Sequence, residues 1–205
     1  MSQSFLRTMF SEPVLREQER YYGRSQKIPP AGDVDQIGPD EAEFIQARDS
    51  FYMATVTPDG WPYIQHRGGP RGFIRVRDPH TLVFADFSGN RQLLSTGNLT
   101  ANDRVSLFMM DYPRQARLKV IGHAEVLPAR SNPALLPEFK PEGLSDQKVE
   151  RFISIHVIGL SWNCPKYITP RFTAEEIEAA VAPLHERIRD LEAALGRAGY
   201  PQRTR

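Results

Sequence analysis

Residues Trp61–Arg91, WPYIQHRGGPRGFIRVRDPHTLVFADFSGNR, decide how the chain is read. Tyr63–Arg67 is strand-like and stops at the Gly68-Gly69-Pro70 break. Thr81–Phe87 is apolar and stops at Ser88-Gly89-Asn90-Arg91. A helix-like run from Arg91 to about Leu99 follows at once, with Asn90 as its expected N-cap. Glycine lets another group approach the backbone, arginine makes paired hydrogen bonds to phosphate, and a helix start presents free N–H groups to negative charge. Strands that end at glycine beside arginine, with a helix just past the second, predict a place for an anion.

Outward from this stretch, the texture is that of a β protein. Ser50–Thr57 is rich in aromatic and β-branched residues and runs into Pro58-Asp59-Gly60, where proline presets φ and glycine supplies a positive φ. Trp61–Arg67 is its hairpin partner. Arg71–Val76, Thr81–Phe87, Arg104–Met110, Gln115–Leu127 and Arg151–Leu160 are further strands, with Gly122 marking a bend in the long one. Such strands joined by short turns predict an antiparallel sheet rolled into a sandwich or barrel. Helices are expected over residues 12–22, 40–48 and 91–99, and over Ser145–Phe152 with Ser145 as cap.

At the C-terminus, Thr173-Ala-Glu-Glu176 is a capping box. Ile177, Val181, Leu184, Ile188, Leu191 and Leu195 then step by four and three in a heptad seam, with Pro183 inside it as a kink. Such a helix packs either on its own barrel or against a partner subunit. The expected organisation is an N-terminal helix and arm (1–39), a barrel (40–172) and a C-terminal helix and tail (173–205).

Composition excludes several classes. A net charge of +1 over 205 residues provides no field for nucleic acid or a membrane surface. The apolar runs are too short to span a bilayer, and the N-terminal MSQSFLRTMF has no signal-peptide core. A single cysteine, Cys164, suits a reducing compartment, and a cytoplasmic protein is expected. His66, His80, His123, His156 and His185 lack metal-ligand spacing, so no metal site is expected. Walker, GxGxxG and Gly-x-Ser-x-Gly patterns are missing.

Several residues carry candidate chemistry, each with a plainer alternative. Gln65 and Arg67 share one strand face and Ile64 and His66 the other; the plain account of Arg67 is a solvated strand end. Asn90-Arg91 is either an anion site or an ordinary capped helix with an exposed basic turn. Gln115, Arg117 and Lys119 alternate with Ala116, Leu118 and Val120, as in any half-solvated strand. Asp86 sits in the apolar run VFADF, and a buried carboxylate needs a donor such as a heterocycle N–H or a backbone amide. The loop Ser161–Arg171 concentrates Trp162, Asn163, Cys164, Lys166, Tyr167 and Arg171 between prolines. No histidine lies near Cys164 in sequence to activate it as a nucleophile.

Taken together, SFYMATVTPDGWPYIQHRGG, LVFADFSGNRQ and NDRVSLFMMDYPRQARLKVIGHAEV resemble the FMN-binding split-barrel superfamily, the pyridoxamine 5′-phosphate oxidase-like proteins. WNCPKYITPRF is similar to the C-terminal signature of a bacterial subgroup. The resemblance implies a mainly β fold, a six-stranded antiparallel split barrel with flanking helices, and a homodimer holding FMN in clefts between subunits. By position, Gln65, His66 and Arg67 fall on the strand that meets FMN, and Ala85 and Asp86 on the pair that touches the flavin. Asn90 precedes Arg91 and Gln92, which fall on the basic pair that grips the phosphate. Gln115 matches a glutamine that enters the flavin site, and Trp162 and Arg171 take the places of a late tryptophan and arginine.

The chain departs from the family pattern in three ways. It has Arg-Gln where the family has Arg-Lys, a Gly-Gly-Pro insertion, and a heptad helix where the oxidase ends in a barrel strand. The last argues against pyridoxamine phosphate as substrate. The resemblance therefore implies an FMN-dependent oxidoreductase whose substrate the sequence does not name. Its alternatives are a flavin-nucleotide carrier without turnover and a split barrel for heme or a deazaflavin.

Overall fold

The computed structural model describes residues 2–89, 91–162 and 165–197. Strands β1 (Ser50–Val56), β2 (Pro62–Gly68), β3 (Ile74–Asp78), β4 (Thr81–Phe87), β5 (Arg104–Asp111), β6 (Ala116–Pro128) and β7 (Val149–Trp162) form one sheet in the order β2-β1-β5-β6-β7-β4-β3. Every pairing is antiparallel. The seven strand-like runs of the sequence all appear, one more than the six of the resemblance. β3 begins at Ile74 rather than Arg71, because Gly72, with a φ of 82°, places the preceding residues in a turn.

The sheet is open, with β2 and β3 as its edges, but it curls until they meet. Phe51 of β1 stacks on Phe73, just before β3, at 5.6 Å between centroids, and Phe84 of β4 packs edge-on to Phe51 at 5.1 Å. Gly69 sits at this junction, where an added Cβ would lie 2.7 Å from Phe87 and 2.8 Å from Phe73. Alternation along β1 and β5 puts Phe51, Met53, Leu107 and Met109 inside the curl. β4 is buried on both faces: Leu82 and Phe84 face the main core, and Val83 and Ala85 face a smaller cluster with Phe139 and Phe152. At Gly122 the β6–β7 register shifts, and a Cβ there would stand 2.3 Å from the His156 carbonyl oxygen. The bend requires glycine.

Three helices flank the sheet on its N-terminal side. α1 (Gln3–Met9), not anticipated from the sequence, is capped by Ser2 and tied to β7, the Ser2 hydroxyl donating to the Leu160 carbonyl at 2.6 Å. α2 (Glu12–Tyr22) buries no residue, and α3 (Pro39–Gln46) buries Phe44 and Ile45. Between β4 and β5, α4 spans Leu94–Ala101, and α5 (Leu136–Phe139) lies between β6 and β7. The expected helix over residues 145–152 is not formed. Only Asp146–Lys148 makes a 3-10 turn, and Val149 already begins β7. Val149 and Phe152 are buried beneath α5, and pairing with β4 and β6 overrides local helix propensity.

The helix expected from Arg91 also starts late. Arg91 and Leu93 have φ of 59° and 56°, left-handed values that a right-handed helix cannot contain. Arg91 and Gln92 therefore lie in the loop before α4, not in its first turn. Asn90, the expected cap, falls outside the described residues, as do Asn163 and Cys164. Ser161 and Trp162 end β7 instead of opening a loop.

α6 (Ala174–Arg197) has its capping box: the Thr173 N–H donates to Glu176 Oε2 at 2.8 Å, and the Glu176 N–H donates to Thr173 Oγ1 at 3.2 Å. None of its residues is buried, so it does not pack on its own barrel.

Candidate functional site

Strand alternation half-buries Tyr63, Gln65 and Arg67 on one face of β2 and leaves Ile64 and His66 exposed on the other. Arg67 NH1 donates to Asp86 Oδ1 at 2.5 Å, joining edge strand β2 to β4 across the seam of the curled sheet. Asp86 is directly opposite Arg151 in the β4–β7 register, and Arg151 Nε stands 2.7 Å from Asp86 Oδ2. The three side chains are between 11% and 14% exposed. Arg151 also pairs with Glu150.

One buried carboxylate is thus shared by two arginines, and their hydrogen bonding is incomplete. Among the described residues, Arg67 Nε is buried with no hydrogen-bond partner, and Arg151 Nε makes its ion contact without hydrogen-bond alignment. Burial pushes the Arg67 guanidinium below its ordinary value, while Asp86 acts in the opposite direction. An arginine stays charged under such a shift, so Arg67 remains a cationic donor in the cavity wall.

That wall belongs to a cavity of about 220 Å³ lined by Gln65, Arg67, Asp86, Arg91, Ser95 and Arg151, among others. The buried Ser95 hydroxyl, from the first turn of α4, donates to Gln65 Oε1 at 2.9 Å and fixes that side chain. A second hollow of about 210 Å³ shares Arg67 and Asp86 and adds His66 and Ala85. The His66 ring lies edge-on to Tyr52 at 5.7 Å.

The structure therefore brings together Gln65, His66, Arg67, Ala85, Asp86 and Arg91. Gln92 is the exposed neighbour of Arg91 and lines neither hollow. The remaining candidates lie elsewhere in the chain. Gln115, at φ 52°, donates through Nε2 to the Ile168 carbonyl at 2.6 Å. Trp162 donates to Glu41 Oε1 at 2.6 Å and packs edge-on to Phe44 at 4.8 Å. Arg171 lies 4.9 Å over the Tyr112 ring, beside a separate cavity of about 380 Å³ that includes Arg48, Tyr52 and Phe108. Sequence reasoning missed Arg151 and Ser95. Arg151 lies 65 positions after Asp86 and becomes visible only through strand register.

The model of the pyridoxamine 5′-phosphate oxidase family matches residues 37–149, more than half of the chain. The chain belongs to this family. The match runs from just before α3 to the first residue of β7, so α6 lies beyond it. No curated protein matches the chain.

Among solved structures, general stress protein 26 from Bacillus anthracis str. Sterne is similar at 18% identity and a TM-score of 0.46, over 64% of this chain and 92% of that one. HupZ of Group A Streptococcus is similar at 16% identity and a TM-score of 0.46, over 66% of this chain and 99% of that one. An F420 reductase is similar at 20% identity and a TM-score of 0.41, over 65% and 98% of the respective chains. These likenesses reach no further than the fold. Among the described residues, no group of three or more His, Cys, Asp or Glu is placed to hold a metal, and no helix is long and apolar enough to cross a membrane.

Proposed function

We propose that this chain is an FMN-binding flavoprotein and acts as an oxidoreductase on a small molecule other than pyridoxamine phosphate. The observation that carries this reading is the pair of buried arginines sharing Asp86 at the cavity wall, with Arg67 Nε left without a partner among the described residues. A buried donor without an acceptor costs about 1–3 kcal/mol, and a phosphate oxygen removes that cost. In this reading Arg67 and Arg91 hold the phosphate with Gln92 beside them. Gln65, locked by Ser95, and the strand pair Ala85 and Asp86 contact the ring system.

Size supports a homodimer. A cavity of about 220 Å³ falls below the roughly 300–1,000 Å³ of small-molecule sites, so one chain accommodates only part of the nucleotide. Gln115, Trp162 and Arg171, apart from the first set within one chain, would reach the cofactor across a subunit boundary. Tyr52, Trp61 and Ile64, which are 39%, 73% and 64% exposed, offer apolar surface on β1, β2 and their turn for that contact. When bound, FMN supplies the hydride or electron transfer. The chain's own residues bind it, orient it and exclude water from its phosphate. A reducing, cytoplasmic setting belongs to the same reading, on the single cysteine.

A carrier without turnover is the second reading, favoured by one observation: among the described residues neither histidine nor lysine lines the 220 Å³ cavity, and His66 lies in the adjoining hollow. Visible absorption of the purified protein, loaded with FMN and desalted, tests the cofactor. Retained flavin bands are expected, and a colourless protein contradicts the proposal. Heme or a deazaflavin would announce itself by its own bands. Reduction by NADH or NADPH followed by reoxidation separates the enzyme from the carrier.

A further inference from the structure

α6 extends from the barrel with Ile177, Leu184, Ile188, Leu191 and Leu195 each about half exposed, at 52%, 62%, 50%, 46% and 52%. With Val181 they form one seam at alternating four- and three-residue steps over the 24 residues of the helix. Placing Ile177, Leu184 and Leu191 at the d positions puts Val181, Ile188 and Leu195 at a. Two of the three a positions, Val181 and Ile188, are β-branched and two of the three d positions, Leu184 and Leu191, are leucine, the combination that favours two parallel strands. Pro183 then falls at c and Ala179, whose carbonyl it leaves without its helical donor, at f. Both face away from the seam, where water reaches the freed oxygen.

The flanking charges choose the partner. In a parallel, in-register pair of identical helices, Arg187 at g faces Glu192 at e of the other helix, and symmetry makes this contact twice. In the centred antiparallel pair, Glu178 would meet Glu192 and Arg187 would meet Arg187, all like-charged. We infer that α6 is a dimerisation helix that pairs in parallel with α6 of a second copy of this chain, outside the segment shared with the family. This inference does not rest on the flavin reading. The two-fold axis runs along the coiled coil, and tethering each helix to its own barrel raises the effective concentration at which the short coil forms.

Disulfide trapping in the full-length chain tests this, with Cys164→Ser and Leu191→Cys introduced together. Copper phenanthroline oxidation is followed on non-reducing gels, in the presence and absence of FMN. A parallel pair brings the two 191 positions side by side and links most of the protein, whereas Ala179→Cys in the same background, on the outer face, links at least tenfold more slowly. The antiparallel pair sets position 191 opposite 181, ten residues or about 15 Å from its equivalent. Efficient linking only between Val181→Cys and Leu191→Cys chains would overturn the parallel arrangement. Linking no faster than at Ala179→Cys both at Leu191→Cys and between Val181→Cys and Leu191→Cys chains would overturn the pairing itself. As a second variant, Arg187→Glu should weaken trapping and the added Glu192→Arg should restore it; failure to restore also counts against the parallel register.

Discussion

Among the described residues, two buried aspartates, Asp111 and Asp86, are each held by arginine, and the two sites are built differently. Arg48 holds α3 to β5 with every branch of its guanidinium in use. Its Nε donates to the Phe44 carbonyl at 3.0 Å, NH1 to the Met110 carbonyl at 2.9 Å and NH2 to Asp111 at 2.8 Å. Among the described residues, Arg67 has one aligned bond, to Asp86, shares that carboxylate with Arg151, and leaves Nε unpaired at a cavity. The two pairs are similarly buried. Burial and charge alone therefore do not mark a site. Incomplete hydrogen bonding beside open space does, because structural ion pairs persist when their donors are satisfied.

The largest effect should come from breaking the satisfied pair. Asp111→Ala leaves Arg48 as an uncompensated buried charge and should cost about 3–5 kcal/mol in urea unfolding. Its flavin affinity per folded molecule should not change. Arg67→Ala should reverse the pattern. Asp86 keeps Arg151, so less stability is lost than in Asp111→Ala, while FMN binding by fluorescence titration should weaken by about 1.5–3 kcal/mol. If Arg67→Ala only unfolds the protein and Asp111→Ala only loses flavin, the roles assigned to the two pairs are reversed. Arg91 is exposed, so Arg91→Ala should weaken FMN by about 1.5 kcal/mol and leave the melting temperature alone. Smallest, Thr173→Ala removes the α6 cap and should cost about 1 kcal/mol of helix stability, seen as earlier loss of far-ultraviolet dichroism on heating.

Much of this was legible in the chain itself, because the signals were local. The hairpin turn at Pro58-Asp59-Gly60, the alternation of Gln65 and Arg67 against Ile64 and His66, and the capping box at Thr173 each rest on residues a few positions apart. The burial of Asp86 was also readable, since a carboxylate inside VFADF has few places to go. Its partners within the chain were not: Arg67 and Arg151 are joined to it by the curl of the sheet and by register. The segment over residues 145–152 failed for a related reason, its helical composition overridden by the two neighbours that claim β7. Arg91 lines the cavity from a loop and not from the expected helix, because left-handed φ at Arg91 and Leu93 is a tertiary demand without a glycine to announce it.

The most direct test compares FMN with riboflavin, which lacks the phosphate, by fluorescence titration of the wild-type protein and the Arg67→Ala/Arg91→Ala variant. If the arginines form a phosphate site, the wild type binds FMN at least tenfold more tightly than riboflavin, and the variant loses that preference while still binding riboflavin as before. Equal affinity of the wild type for the two flavins, or a preference for FMN that survives both substitutions, would contradict the account.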